Sequence, residues 1–214
     1  MLFFTRLHFP AFSKNDIQKH IEKILNHPQT LSRNPEEYKK LLQLRAVVDK
    51  MSASLHQLKG IDSTVPWEMF ELKALDLIKK RLNFQDLTRD DINSLRNAYE
   101  AGKVRLVNDK TINNLTSALF ILSNSILALS AGMTMIAACA MTTGPIGMAL
   151  LGVALAFIAA AVLVMTAYSI YVDARQLANK QSKEIEEMIE FVAPTEPSNL
   201  HSDLPTDQFS AQMN

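Results

Sequence analysis

A single cysteine, Cys139, stands in 214 residues, which excludes an intrachain disulfide framework and a CxxC metal site. Six glycines and an aromatic content of 7% argue against a many-stranded β protein, because strands favour aromatic and β-branched residues. Catalytic signatures are missing too. There is no GxxxxGKS or GxxxxGKT phosphate loop, no GxGxxG and no GxSxG, and His8, His20, His27, His56 and His201 share no HExxH or other zinc-ligating spacing. Neither enzyme activity, metal nor cofactor is expected. The most informative absence is charge: Thr111 to Val172 is a run of 62 residues without Asp, Glu, Lys, Arg or His.

The zero net charge of the whole chain conceals this segregation. Residues 1–110 hold 19 Lys or Arg against 14 Asp or Glu, whereas residues 173–214 hold three against eight. The basic surplus of the first part includes Lys79-Lys80-Arg81 but is dispersed among acids. A reader of nucleic acid concentrates its basic footprint, so no nucleic-acid partner is expected.

A surface helix of a soluble protein keeps a charged face toward water, which the uncharged block does not have. A membrane span needs about 20 apolar residues, so the block holds two spans and a turn. Gly144 and Pro145 mark that turn, since Gly and Pro break helices and Pro suits the first turn of a new one. The expected helices are 115–141 and 146–170. Thr116, Ser123 and Ser130, and beside them Ser117 and Asn124, recur at spacings of seven and form a packing seam on the first helix. Gly152, Ala156 and Ala160 form a small-xxx-small seam on the second, a pattern that lets backbones approach closely in lipid. Lys103, Arg105, Lys110 and Arg175 flank the block as juxtamembrane positives, which favour the cytosolic side. Both soluble flanks are therefore expected on one cytosolic face, with membrane lipid, an unidentified protein and further copies of the hairpin as partners.

The first 110 residues read as a four-helix domain spanning 13–110. Its first helix starts at Ser13 or Asn15 and carries Ile17, Ile21, Ile24 and Leu25. The second opens at Asn34-Pro35-Glu36-Glu37, bears the stripe Leu41, Leu44, Val48, Met51, Leu55 and Leu58, and stops at Gly60. The third opens at Pro66 with Ser63 or Thr64 as cap and carries Trp67 as a core anchor. The fourth begins at Thr88-Arg89-Asp90-Asp91, a Thr cap with an acid three residues on, and ends at Gly102. Residues 1–12 form an apolar arm expected to pack Phe3, Phe4, Phe9 and Phe12 onto this domain; attachment of the same aromatics to a membrane surface is the alternative.

Residues 173–193 continue the second hairpin helix as an acidic amphipathic segment carrying Leu177, Ile185, Met188, Ile189 and Val192. Residues 194–214, rich in Pro, Ser, Asp and Gln, read as a disordered tail. The fold class is thus all-α: a four-helix domain, a transmembrane-type hairpin and an acidic extension of the hairpin's second helix. A soluble helical domain, an uncharged hairpin, a Glu-rich run (Glu184, Glu186, Glu187, Glu190) and a small-polar tail (Ser198, Ser202, Thr206, Ser210) together resemble the effectors that Legionella-like bacteria translocate through the Dot/Icm type IVB system. The resemblance implies export into a host cell and residence on a host membrane. The function expected from the sequence is a membrane-anchored interaction protein. A pore-forming protein that inserts the same hairpin and a soluble scaffold that buries it are the alternatives.

Overall fold

The computed structural model describes residues 5–11, 13–27, 35–62, 65, 67–83, 85–108 and 110–193, with backbone alone at 105–108 and 110–112. The described residues form helices without strands: α1 (Asp16–Leu25), α2 (Pro35–Ile61), α3 (Glu68–Leu82), α4 (Arg89–Asn108), α5 (Lys110–Met141), α6 (Ile146–Leu177) and α7 (Lys180–Val192).

Local chemistry sets several of the starts. Asn15 caps α1 in a capping box, its side chain accepting from the Gln18 amide while the Gln18 side chain accepts from the Asn15 amide. At α4 the Thr88 hydroxyl accepts from the Asp91 amide at 3.2 Å, and the Asp91 carboxylate accepts from both the amide and the hydroxyl of Thr88. That carboxylate also takes Lys80 at 2.8 Å, tying α4 to the end of α3. The expected caps at Ser63, Thr64 and Asn34 and the start at Pro66 lie outside the described residues.

Helix α2 ends at Ile61, one residue past the stop expected at Gly60, whereas α4 continues past the stop expected at Gly102 to Asn108. Both glycines also serve close approaches between elements. A Cβ on Gly102 would stand 2.7 Å from the Trp67 ring, and one on Gly60 would stand 3.1 Å from His8 Nδ1. Trp67 then packs on Phe70 and Tyr99, with ring centroids 6.4 and 6.5 Å away. These rings and the stripe Leu44, Val48, Met51, Leu55 and Leu58 make the core, with Leu41 half-buried at its edge.

Residues 173–177 of the acidic segment continue α6 as expected, but the rest does not. Asn179 adopts the left-handed conformation at φ 52° and ψ 28°, which Asn tolerates better than most residues, and the chain turns back there. Helix α7 consequently lies along α2 and buries Ile185, Met188, Ile189 and Val192 in the same core. The helical domain is therefore completed from both sides of the hairpin: α1 to α4 precede it and α7 follows it. Tyr99 donates to the Ser182 carbonyl, Lys103 pairs with Glu186 at 2.7 Å, and Gln181 donates to Gln57 at 3.2 Å. Burial raises the Tyr99 hydroxyl above its ordinary range, and the Glu186 bond raises Lys103.

Candidate functional site: an apolar hairpin and its polar base

Helices α5 and α6 are each 32 residues, about 48 Å at about 1.5 Å per residue, and pack against each other along the hairpin. The turn expected at Gly144 and Pro145 is present: α5 ends at Met141 and α6 begins at Ile146. Thr142 and Thr143 hydroxyls donate to the Cys139 and Ala140 carbonyls, satisfying acceptors that a helix end leaves open.

The buried line of α5 is Ser117, Asn124, Ala131 and Ala138, and that of α6 includes Gly152, Ala159, Thr166 and Asp173. Both lines step by seven, the repeat of an antiparallel left-handed coil. Their register is anchored at both ends. A Cβ on Gly152 would lie 2.6 Å from the Ala138 carbonyl oxygen, and Arg6 reaches both Ser117 and Asp173. Asn124 then faces Thr166, and Ala131 faces Ala159.

This geometry corrects part of the seam expected from the sequence. Ser117, Asn124 and Gly152 lie on the contact line; Thr116, Ser123, Ala156 and Ala160 sit half-buried at its edges, and Ser130 is exposed. The i, i+4 pattern expected for the second helix belongs to right-handed crossings, whereas these helices wind with a heptad repeat, which selects Ala159 in place of Ala156 and Ala160. Ala159, Thr166 and Asp173 are absent from the expected seam for that reason, although their spacing of seven from Gly152 is present in the sequence.

Away from the seam the hairpin is bare. Its two apolar segments, Asn113–Met141 and Ile146–Leu177, are long and apolar enough to cross a membrane, and only 11% of the most apolar window in each is buried. Leu129 and Phe157 are both 74% exposed, and Leu122, Met133, Ile136, Leu150, Ile158 and Val164 are exposed as well. A soluble core helix would be sheathed; these are not. The Ser125 and Thr134 hydroxyls on the outer faces donate to the Ile121 and Ser130 carbonyls of their own helix, so these groups ask nothing of the surroundings.

At the base of the hairpin the polar residues converge with the N-terminal arm. Arg6 donates to Asp173 at 2.7 Å, to Ser117 at 3.4 Å and to the Ile61 carbonyl at 3.2 Å, and its guanidinium lies 4.7 Å from the Phe120 ring centroid. The Asp173 side chain is fully buried. Asn124 donates to the Arg6 carbonyl, and the His8 amide donates to Ser169 Oγ at 2.8 Å. His8 Nε2 lies 3.5 Å from Asp173 Oδ1. Among the described residues the arm is held by Arg6 and His8, and Phe9 is exposed; Phe3, Phe4 and Phe12, also expected to pack there, lie outside the described residues.

Of the flanking basic residues, Lys103 and Arg175 are committed to ion pairs with Glu186 and Glu184, and the side chains of Arg105 and Lys110 lie outside the described residues. Glu184 also accepts from Ser54 on α2. Half of the Glu-rich run is therefore engaged in joining α7 to the rest of the domain. No group of His, Cys, Asp or Glu able to hold a metal occurs among the described residues. No family model, curated protein or solved structure matches this chain.

Proposed function

We propose that the protein is anchored in a bilayer by the α5–α6 hairpin and that the helical domain presents a surface to a protein partner on the cytosolic side. The observation that carries this reading is the exposure of most of the large apolar side chains of a hairpin about 48 Å long. Water penalises such a surface by roughly 25 cal/mol per Å² of apolar area, and lipid removes the penalty. The short turn returns the chain to the side from which it entered, so the two halves of the helical domain, joined through α7, lie on one face of the membrane. The layout that resembles translocated effectors makes a host membrane the proposed setting.

Anchoring is favoured over pore formation by the position of the polar stripe. Ser117, Asn124, Thr166 and Ser169 face inward, toward the seam or the arm, leaving a largely apolar outer surface that suits lipid better than an aqueous lumen. The test uses the two most exposed mid-hairpin positions. Leu129→Arg with Phe157→Arg removes no packing contact of consequence in a soluble protein, but a charge at the bilayer centre costs about 2.5 to 3.5 kcal/mol on insertion scales. The double variant is expected to leave the carbonate-resistant membrane pellet for the supernatant while the parent stays. Retention of both in the pellet, or of neither, refutes the reading.

A further inference from the structure

The N-terminal arm has its polarity reversed relative to a segment lying on a soluble domain. Over residues 6 to 9 burial alternates, with Arg6 and His8 turned inward and Leu7 and Phe9 outward, at 42% and 57% exposure. An extended segment bordering water does the opposite, apolar in and polar out. Inward, the arm meets the polar base of the hairpin: Arg6 is engaged with Ser117 and Asp173, the Arg6 carbonyl with Asn124, and the His8 amide with Ser169. Asn124 and Ser169, which bond the Arg6 carbonyl and the His8 amide on either side of Leu7, fix the height of the arm along the hairpin.

That height coincides with a membrane boundary. From Asn124 to Met141 the α5 axis advances about 26 Å, and from Ser169 to Ile146 the α6 axis advances about 35 Å, at about 1.5 Å per residue. Their mean is close to the roughly 30 Å thickness of a hydrocarbon core. With the turn at the far interface, the arm therefore lies at the near one, where aromatic side chains concentrate. Tyr168 and Tyr171, packed 6.3 Å apart at the same end of α6, fit that belt.

From the reversed alternation and this depth we infer that the arm is a third membrane-contacting element, lying in the near interfacial layer with Leu7 and Phe9 in lipid. Arg6 and His8 fasten it to the hairpin, so that the Arg6–Asp173 pair sets how deep the hairpin sits. This inference rests on the anchoring reading, and the occupant of the arm's outer face is the bilayer, not a protein.

The test places an environment-sensitive fluorophore at single cysteines in the full chain with Cys139→Ala, reconstituted in phosphatidylcholine and phosphatidylglycerol vesicles. Phe9→Cys reports the arm, Phe157→Cys the hairpin, and Lys19→Cys an exposed face of α1. Nitroxide lipids carrying the quencher near the headgroup or near the chain end give the depth. The expected result is a blue-shifted probe at position 9 quenched most by the shallow nitroxide, a probe at 157 quenched most by the deep one, and no quenching at 19. Quenching at 157 with none at 9 overturns the arm's role while leaving anchoring intact, whether the arm then faces water, a second copy or a protein. Absence of quenching at both overturns the arm and the anchor together.

Discussion

Asp91 illustrates how single residues fix the helical domain. Its carboxylate accepts Lys80 and both donors of Thr88, and these bonds, the Lys80 bond foremost, hold it down to about 2 from 3.8. A depressed carboxyl contributes stability that is complete above its unfolded value and disappears as pH falls through its folded value. Asp91→Asn is therefore expected to lower the thermal midpoint at neutral pH, with the gap narrowing from about pH 5 and closing near pH 2. Unfolding scans of both proteins across that range, followed by circular dichroism, check this; a gap that persists unchanged at the acid end contradicts it. At Gly152 the constraint is space. The position admits no Cβ, because the Ala138 carbonyl is backbone and cannot rotate away, and overpacking of this kind costs about 1 to 3 kcal/mol. Gly152→Leu should unfold the hairpin at lower denaturant in detergent than the parent, while Leu151→Ala, on an exposed position, should change little; equal shifts would remove Gly152 from the seam.

At the scale of elements, what is legible in the sequence is what local chemistry decides. The Asn15 and Thr88 caps and the Gly144-Pro145 turn each depend on residues within a few positions of one another, the α2 stripe on a regular local spacing, and the Trp67 anchor on residue type, although its partners Tyr99 and Gly102 are distant. What is not legible depends on partners distant in sequence. Gly102 looks like a helix end because nothing local reveals that Trp67 needs its space. The arm looks apolar because Phe residues outnumber Arg6 and His8, yet the two polar residues meet Ser117, Ser169 and Asp173 more than a hundred positions away. The seam is half legible: the spacing of seven is plain among the polar residues of α5, but on α6 the small residues suggest a period of four that hides the line from Gly152 to Asp173. The reversal before α7 is the largest omission, since Asn179 gives only a weak local sign of it, although the helix and its stripe of Ile185, Met188, Ile189 and Val192 are legible. Its consequence is testable. A fragment ending at residue 110 lacks Ile185, Met188, Ile189 and Val192 from its core, so it should expose apolar surface and unfold without a cooperative transition. A fragment in which a short flexible linker replaces residues 113–172 and retains α7 should restore that transition; cooperative melting of the shorter fragment alone would show α7 to be dispensable.

The whole molecule is a helical domain threaded on both sides of an apolar hairpin, and its charge follows that plan. Among the described residues, most large side chains of the uncharged block lie in the open, and the ionised groups gather at the base and in the domain. The Arg6–Asp173 and Arg175–Glu184 pairs lie where the two regions meet, joining the arm to α6 and the end of α6 to α7. In the proposed reading, the domain bonded to the base of the hairpin holds its partner surface close to the bilayer. The most direct measurement of that arrangement is protease protection of the full chain in sealed vesicles, with a tag at each end and the protected peptides identified by mass. Protease added outside should remove both tags and leave one fragment that contains Cys139 and joins α5 to α6 through an uncut Thr142–Gly147 turn. Cleavage throughout the two apolar helices, or loss of one tag with protection of the other, would contradict a hairpin anchored from one side.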